Sequence, residues 1–138
     1  MTTHEDQIRS YFEACTSGSD EDVAKHFTDD AVIYDTNHSP IVSAGSIGKF
    51  WNQIRTKWTG ARWVVERVVE SGESAAIEWM MEGEHLGESF SVRGSEHYSF
   101  QGNLIEEIRQ YWIFDPQSPG GGLIGYPYEQ HNRIGSHD

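Results

Sequence analysis

The segment from Phe90 to Phe100 alternates with a period of two, the spacing of an extended strand. Phe90, Val92, Gly94, Glu96, Tyr98 and Phe100 fall on one face; Ser91, Arg93, Ser95, His97 and Ser99 fall on the other. The first face is apolar except for one carboxylate, Glu96. A carboxylate on an apolar face costs several kcal/mol unless it is paired, hydrogen-bonded or protonated. Desolvation there raises its pKa towards the range useful for moving protons, so Glu96 is the first candidate for general acid–base chemistry. The competing role is structural: an ion pair with Arg109 or another partner on the neighbouring strand.

His85 is the second candidate. It shares the parity of Ile77, Trp79 and Met81 if that strand continues past Gly83, and would then enter the same cavity. Otherwise it is an exposed loop histidine between two glycines. Tyr34 and Asp35 end an earlier strand, and only one of them can face inward if the strand is regular. Surface exposure is the default for either one alone. Trp51, Trp79, Tyr98 and Trp112 are the aromatic candidates for a pocket wall, although core packing explains each nearly as well. His97 lies on the polar face with Arg93 and three serines, which suits solvent or a subunit interface.

Several chemistries are excluded. Gly45-Ser46-Ile47-Gly48-Lys49-Phe50 lacks the upstream glycine and the Ser or Thr after Lys that a phosphate loop needs. Gly120-Gly121-Gly122 precedes no helical pattern, and no histidine pair has zinc-site spacing. Cys15 is the only cysteine, so no internal disulfide can form. It sits among apolar residues of a helix and has no evident activating partner. No metal and no cofactor are expected. The formal net charge of −12 disfavours nucleic acid and anionic membrane surfaces. The start, MTTHEDQIRS, has neither a basic run nor an apolar one, so no signal peptide is expected and the cytoplasm is the default location.

These residues need elements to position them. Ile8, Tyr11, Phe12 and Cys15 draw one apolar helical stripe, with Thr2 and Glu5 at capping-box spacing and Gly18 as the stop. A short second helix, capped by Ser19 or Asp20, turns Val23, Ala24 and Phe27 inward. A strand follows over residues 31–35. Ser46 caps a third helix carrying Ile47, Phe50, Trp51, Ile54 and Trp58, and Gly60 ends it. The period then drops to two, predicting strands over residues 62–70, 75–82, 90–100 and 104–114. Gly102-Asn103 makes a hairpin turn between the last two. Helices first and then a run of antiparallel strands is an α+β arrangement, with helices gathered on one face of a curved sheet. At 138 residues the chain holds one domain, assigned to 1–115, and an aperiodic glycine-rich tail over 116–138.

The stretch from Ser91-Val92-Arg93-Gly94-Ser95-Glu96-His97-Tyr98 through Ile105-Glu106-Glu107-Ile108-Arg109-Gln110-Tyr111-Trp112 resembles the closing strand pair of SnoaL-like proteins, within the nuclear-transport-factor-2-like superfamily. Gly83-Glu84-His85-Leu86-Gly87 resembles a further element of that family. The resemblance covers roughly residues 5 to 115. It implies a cone-shaped α+β barrel, with three N-terminal helices on a strongly curved antiparallel sheet around a pocket. In the family's cyclases the position of Glu96 usually holds the catalytic Asp, and His85 stands where the acid's partner stands. Dehydratase-like relatives use Tyr and Asp near Tyr34 and Asp35. The implied activity is cofactor-independent cyclisation, isomerisation or dehydration of an apolar carbonyl, polyketide-like or terpenoid-like substrate. In that reading Glu96 shuttles a proton and His85 or a Tyr stabilises the enolate oxygen. A non-catalytic binding or assembly domain is the alternative, since fold alone fixes no activity. A limonene-epoxide type of hydrolase is the second alternative, weakened by Gln110 where that chemistry has an Asp. A homodimer through the outer sheet face is expected.

Overall fold

The computed structural model describes residues 3–113 and 122–128. In chain order the elements are α1 (His4–Ser17), α2 (Asp20–Ala24), β1 (Phe27–Asp35), β2 (Ile41–Val42), α3 (Ala44–Lys57), β3 (Thr59–Ser71), β4 (Ser74–His85), β5 (Glu88–Gln101) and β6 (Leu104–Trp112). The strands form one curved, unclosed six-stranded sheet in the order β2-β1-β6-β5-β4-β3, with the three helices against it. This is the expected α+β cone. One pair departs from the antiparallel expectation: β1 runs parallel to β6. A parallel pair needs a long crossover, and here β2, α3, β3, β4 and β5 all lie between the two strands.

The helices begin where their caps allow. Thr3 has extended backbone geometry, and its side chain accepts from the Asp6 N–H while Asp6 answers at the Thr3 N–H. The capping box is therefore Thr3–Asp6, one residue later than the Thr2–Glu5 spacing suggested. Ser19 caps α2 in the same way. The cap of α3 is Ser43 and not Ser46, because Ser46 is the residue whose N–H the Ser43 hydroxyl receives. Gly60 does not end α3 either; Trp58 caps it and Gly60 already belongs to β3. Phe27 faces the core from β1, not from α2.

Packing then closes the inner face. Ile8, Tyr11, Phe12 and Cys15 of α1 are buried, as are Ile47 and Trp51 of α3. Arg55 fastens the two helices together: its guanidinium donates to the Cys15 carbonyl at 3.1 Å and to the Gly18 carbonyl at 2.7 Å. Those are carbonyls at the end of α1 that no helical N–H can reach. Helices α2 and α3 approach closely at Gly48, where a Cβ would stand 2.3 Å from the Asp20 carbonyl oxygen. Of the tail, residues 122–128 are described; Tyr128 lies under Arg93, whose Cζ is 3.9 Å from the ring centroid. Phe114, expected to end the last strand, lies outside the described residues.

Candidate functional site

Strand register builds the site. Ile77 of β4 is opposite Glu96 of β5, Glu96 is opposite Gln110 of β6, and Gln110 is opposite Asp35 of β1. All four therefore stand in one row across the sheet. Two strand spacings put the Glu96 and Asp35 backbones about 10 Å apart. The adjacent row is Trp79, Gly94 and Trp112. A Cβ on Gly94 would come within 2.7 Å of the Trp79 ring, so glycine is what lets the two indoles meet edge to face at 6.4 Å.

Glu96 is 3% exposed. Arg109, the ion-pair partner considered from sequence, faces the other side and bonds Glu107. What Glu96 has instead is Tyr98, two residues along the same face, whose hydroxyl donates to Oε1 at 2.5 Å. Burial pushes the Glu96 carboxyl up to about 8; the Tyr98 bond pulls the other way, and the negative charge of Asp35 adds to the rise. At neutral pH Glu96 is chiefly a protonated acid.

Asp35 sits in the opposite kind of environment. Its side chain is 0% exposed, although the residue as a whole is only half-buried. Gln110 Nε2 and Trp112 Nε1 donate to Oδ2 at 2.6 and 2.8 Å, and the Asn37 N–H donates to Oδ1 at 2.7 Å. His38 Nε2 lies 3.4 Å from Oδ2. Both oxygens of Asp35 therefore accept hydrogen bonds.

A cavity of about 10 Å³ lies against Glu96, lined also by Tyr11, Phe12, Cys15, Trp51, Trp63 and Trp79. That is the space of about one water molecule. A larger cleft of about 560 Å³ lies around Gly94 on the side where Glu66, Arg93, Ser95 and Tyr111 point outward. Arg93 is occupied there, with both Glu66 carboxylate oxygens at 2.6 Å.

The structure thus groups Glu96, Asp35, Tyr98, Trp51, Trp79 and Trp112. It does not bring in Tyr34 or His85. Tyr34 is 45% exposed, because Ala31, Ile33 and Asp35 take the inward parity of β1. Asp35 is correspondingly not the surface residue expected by default. His85 ends β4 eight positions beyond Ile77, about 26 Å of extended chain. Its ring packs 4.9 Å from Trp58, away from Glu96. Residues that sequence reasoning missed are Tyr11, Trp63, Gln110 and His38. Tyr11 was visible only as part of a core stripe, and Gln110 only as a departure from a family pattern.

The chain belongs to the SnoaL-like domain family, whose pattern residues 8–108 match. No protein of curated function matches it significantly. Among solved structures, a protein of unknown function with a cystatin-like fold from Methylobium petroleophilum PM1 is 23% identical, with 90% of this chain and 80% of that one covered at a TM-score of 0.72. A ketosteroid-isomerase-like fold from Catenulispora acidiphila DSM 44928, in complex with trimethylamine, is 14% identical over 86% and 91% of the chains, with a TM-score of 0.73. A protein from Jannaschia sp. CCS1 assigned as a SnoaL-like polyketide cyclase is 12% identical over 79% and 84%, with a TM-score of 0.69. At these identities the likeness is one of fold. No helix among the described residues is long and apolar enough to cross a membrane, and none of their His, Cys, Asp and Glu side chains cluster in a way that would hold a metal ion.

Proposed function

We propose that this protein is a cofactor-independent acid–base enzyme for an apolar carbonyl compound of polyketide-like or terpenoid-like frame. The observation that carries the reading is the pairing of two buried carboxyl groups in unlike surroundings. Glu96 is held neutral by burial, and Asp35 is held by three donors. Two carboxyl groups in such unlike surroundings divide the roles of acid and base between them. Asp35 takes a proton from the carbon next to the carbonyl, the electron pair moves onto the oxygen, and Glu96 donates its proton there. Return of the proton from Asp35 to another carbon completes an isomerisation; in a cyclisation the enol carbon instead attacks a second carbonyl of the same molecule, whose oxygen takes the proton from Asp35 while the enol O–H proton returns to Glu96. The family and the cyclase-like neighbour support this class of substrate.

The test is hydrogen–deuterium exchange at the α-carbon of a panel of apolar enones, followed by NMR in heavy water. Asp35→Asn is expected to slow exchange by about 100- to 10,000-fold, the usual worth of a general base. Glu96→Gln keeps the shape but cannot pass a proton, and is expected to lose a similar factor without a lower melting temperature. Normal exchange in both variants would defeat the reading.

One observation favours a second reading, a non-catalytic binding or assembly domain: the cavity at Glu96 has room for about one water and no substrate. Absence of exchange in the wild type, with no compound binding, would favour it. The epoxide-hydrolase alternative lacks support at the site, since Arg109 faces away and Gln110 replaces a carboxylate. The outer face bearing Arg93, His97 and Tyr111 is the surface assigned to a homodimer.

A further inference from the structure

Three buried polar atoms near Glu96 have no hydrogen-bond partner among the described residues: Tyr11 Oη, Trp51 Nε1 and Trp79 Nε1. All three belong to residues that line the small cavity together with Glu96. They arrive from four elements: Tyr11 from α1, Trp51 from α3, Trp79 from β4 and Glu96 from β5. The Tyr11 hydroxyl is near enough to Cys15, Glu96 and Trp51 for each to bear on its proton affinity. A buried donor left unpaired is costly, so several gathered at one cavity point to something that pairs them.

We propose that this cavity is a binding site for a single water molecule, which accepts from the indole N–H groups of Trp51 and Trp79 and donates to Glu96 and Tyr11. The volume of about 10 Å³ matches one water. The four hydrogen-bonding positions of the water are all used. Two indole donors meet two lone pairs, and two water hydrogens meet a carboxyl oxygen and a phenol oxygen. An ammonium ion has no lone pair for the indoles. A halide has no hydrogen for Glu96 and would find no balancing cation around it. An apolar occupant would leave the indoles unpaired. The site stands on packing and hydrogen-bond stoichiometry, so it goes beyond the catalytic reading and does not depend on it.

The test uses the intact protein and water itself. Heteronuclear NMR reads cross-relaxation between water and the indole protons, and a high-resolution crystal structure reads density. The expected result is a long-lived water signal at both Trp51 and Trp79, with one density peak within hydrogen-bond distance of both nitrogens. Trp79→Phe keeps an aromatic ring and deletes one donor; it is expected to abolish the water signal at Trp51 as well. Tyr11→Phe is the second variant should the first fail to fold, with loss expected at both indoles. No water signal at either indole in the wild type, or a cavity without density, overturns the proposal. An unchanged Trp51 signal in a folded Trp79→Phe or Tyr11→Phe protein overturns it too, because the groups then do not share one water.

Discussion

Removing Glu96 from water has a cost that depends on pH. Its ordinary value is 4.5, and in the folded protein it stands at about 8. Below that window both states hold the proton and there is no penalty. Within it the unfolded chain gives up the proton while the folded one keeps it, so stability falls as pH rises, by up to about 1.4 kcal/mol per pH unit. Above it both states are ionised and the penalty stays constant. His26 acts in the other sense: burial lowers its pKa from 6.5. The folded state therefore sheds that proton first, and stability rises as pH climbs towards 6.5. The wild-type profile mixes the two slopes. Glu96→Gln removes only the first, so its urea-unfolding free energy relative to wild type is expected to improve steadily as pH is raised from 4.5 to about 8. A difference that stays flat with pH would mean that Glu96 keeps its ordinary affinity in the fold.

At the scale of the element, two positions decide whether the walls of the site stand. Ser43 starts α3, the helix that carries Trp51, and does so at a φ of 89°, where a side chain is strained. It is retained at that angle while its hydroxyl accepts the Ser46 N–H. Ser43→Ala keeps the strain and loses the bond, for an expected cost of about 1 kcal/mol. Ser43→Gly trades the bond for relief of strain and is expected to cost less; urea midpoints of the two variants check the order. Gly94 is the second position. A Cβ there would meet the Trp79 ring, the Tyr111 carbonyl oxygen at 2.7 Å and Trp112 at 2.8 Å. A backbone atom cannot swing aside, so Gly94→Ala is expected to destabilise by about 1–3 kcal/mol. It should also separate the Trp79–Trp112 pair, read as a change in near-ultraviolet circular dichroism. An unaffected spectrum would show that the two indoles do not need that gap.

For the whole molecule the open question is assembly. The outer face of β5 and β6 presents an exposed His97 packed edge-on to Tyr111, which is itself half-exposed. A two-fold axis through this face would bury both residues twice over. The chain carries a net charge of −12, so two copies repel each other, and salt is expected to tighten the dimer. Sedimentation at micromolar concentration should give a dimer, and Tyr111→Lys should give a monomer with an unchanged circular dichroism spectrum. A wild-type monomer at high salt would remove the claim.

Strand parity and helical stripes are local properties, and they are what the sequence determined by itself. Glu96 between Gly94 and Tyr98 on an apolar face, the Ile8–Tyr11–Phe12–Cys15 stripe and the Trp51 helix all follow from periods of two and 3.6. The partners of Glu96 were decided only by tertiary structure. Whether Tyr34 or Asp35 turned inward was settled by which side of β1 packs on the core, the side of Ala31 and Ile33. The parallel pairing of β1 with β6 brings Asp35 against Gln110 across 75 positions of chain. His85 kept the parity expected for it yet fell far along its strand, because parity fixes a face and not a distance. The size of the cavity was equally out of reach. It is the small remainder left when side chains from α1, α3, β3, β4 and β5 meet, and a remainder of that kind depends on every wall at once.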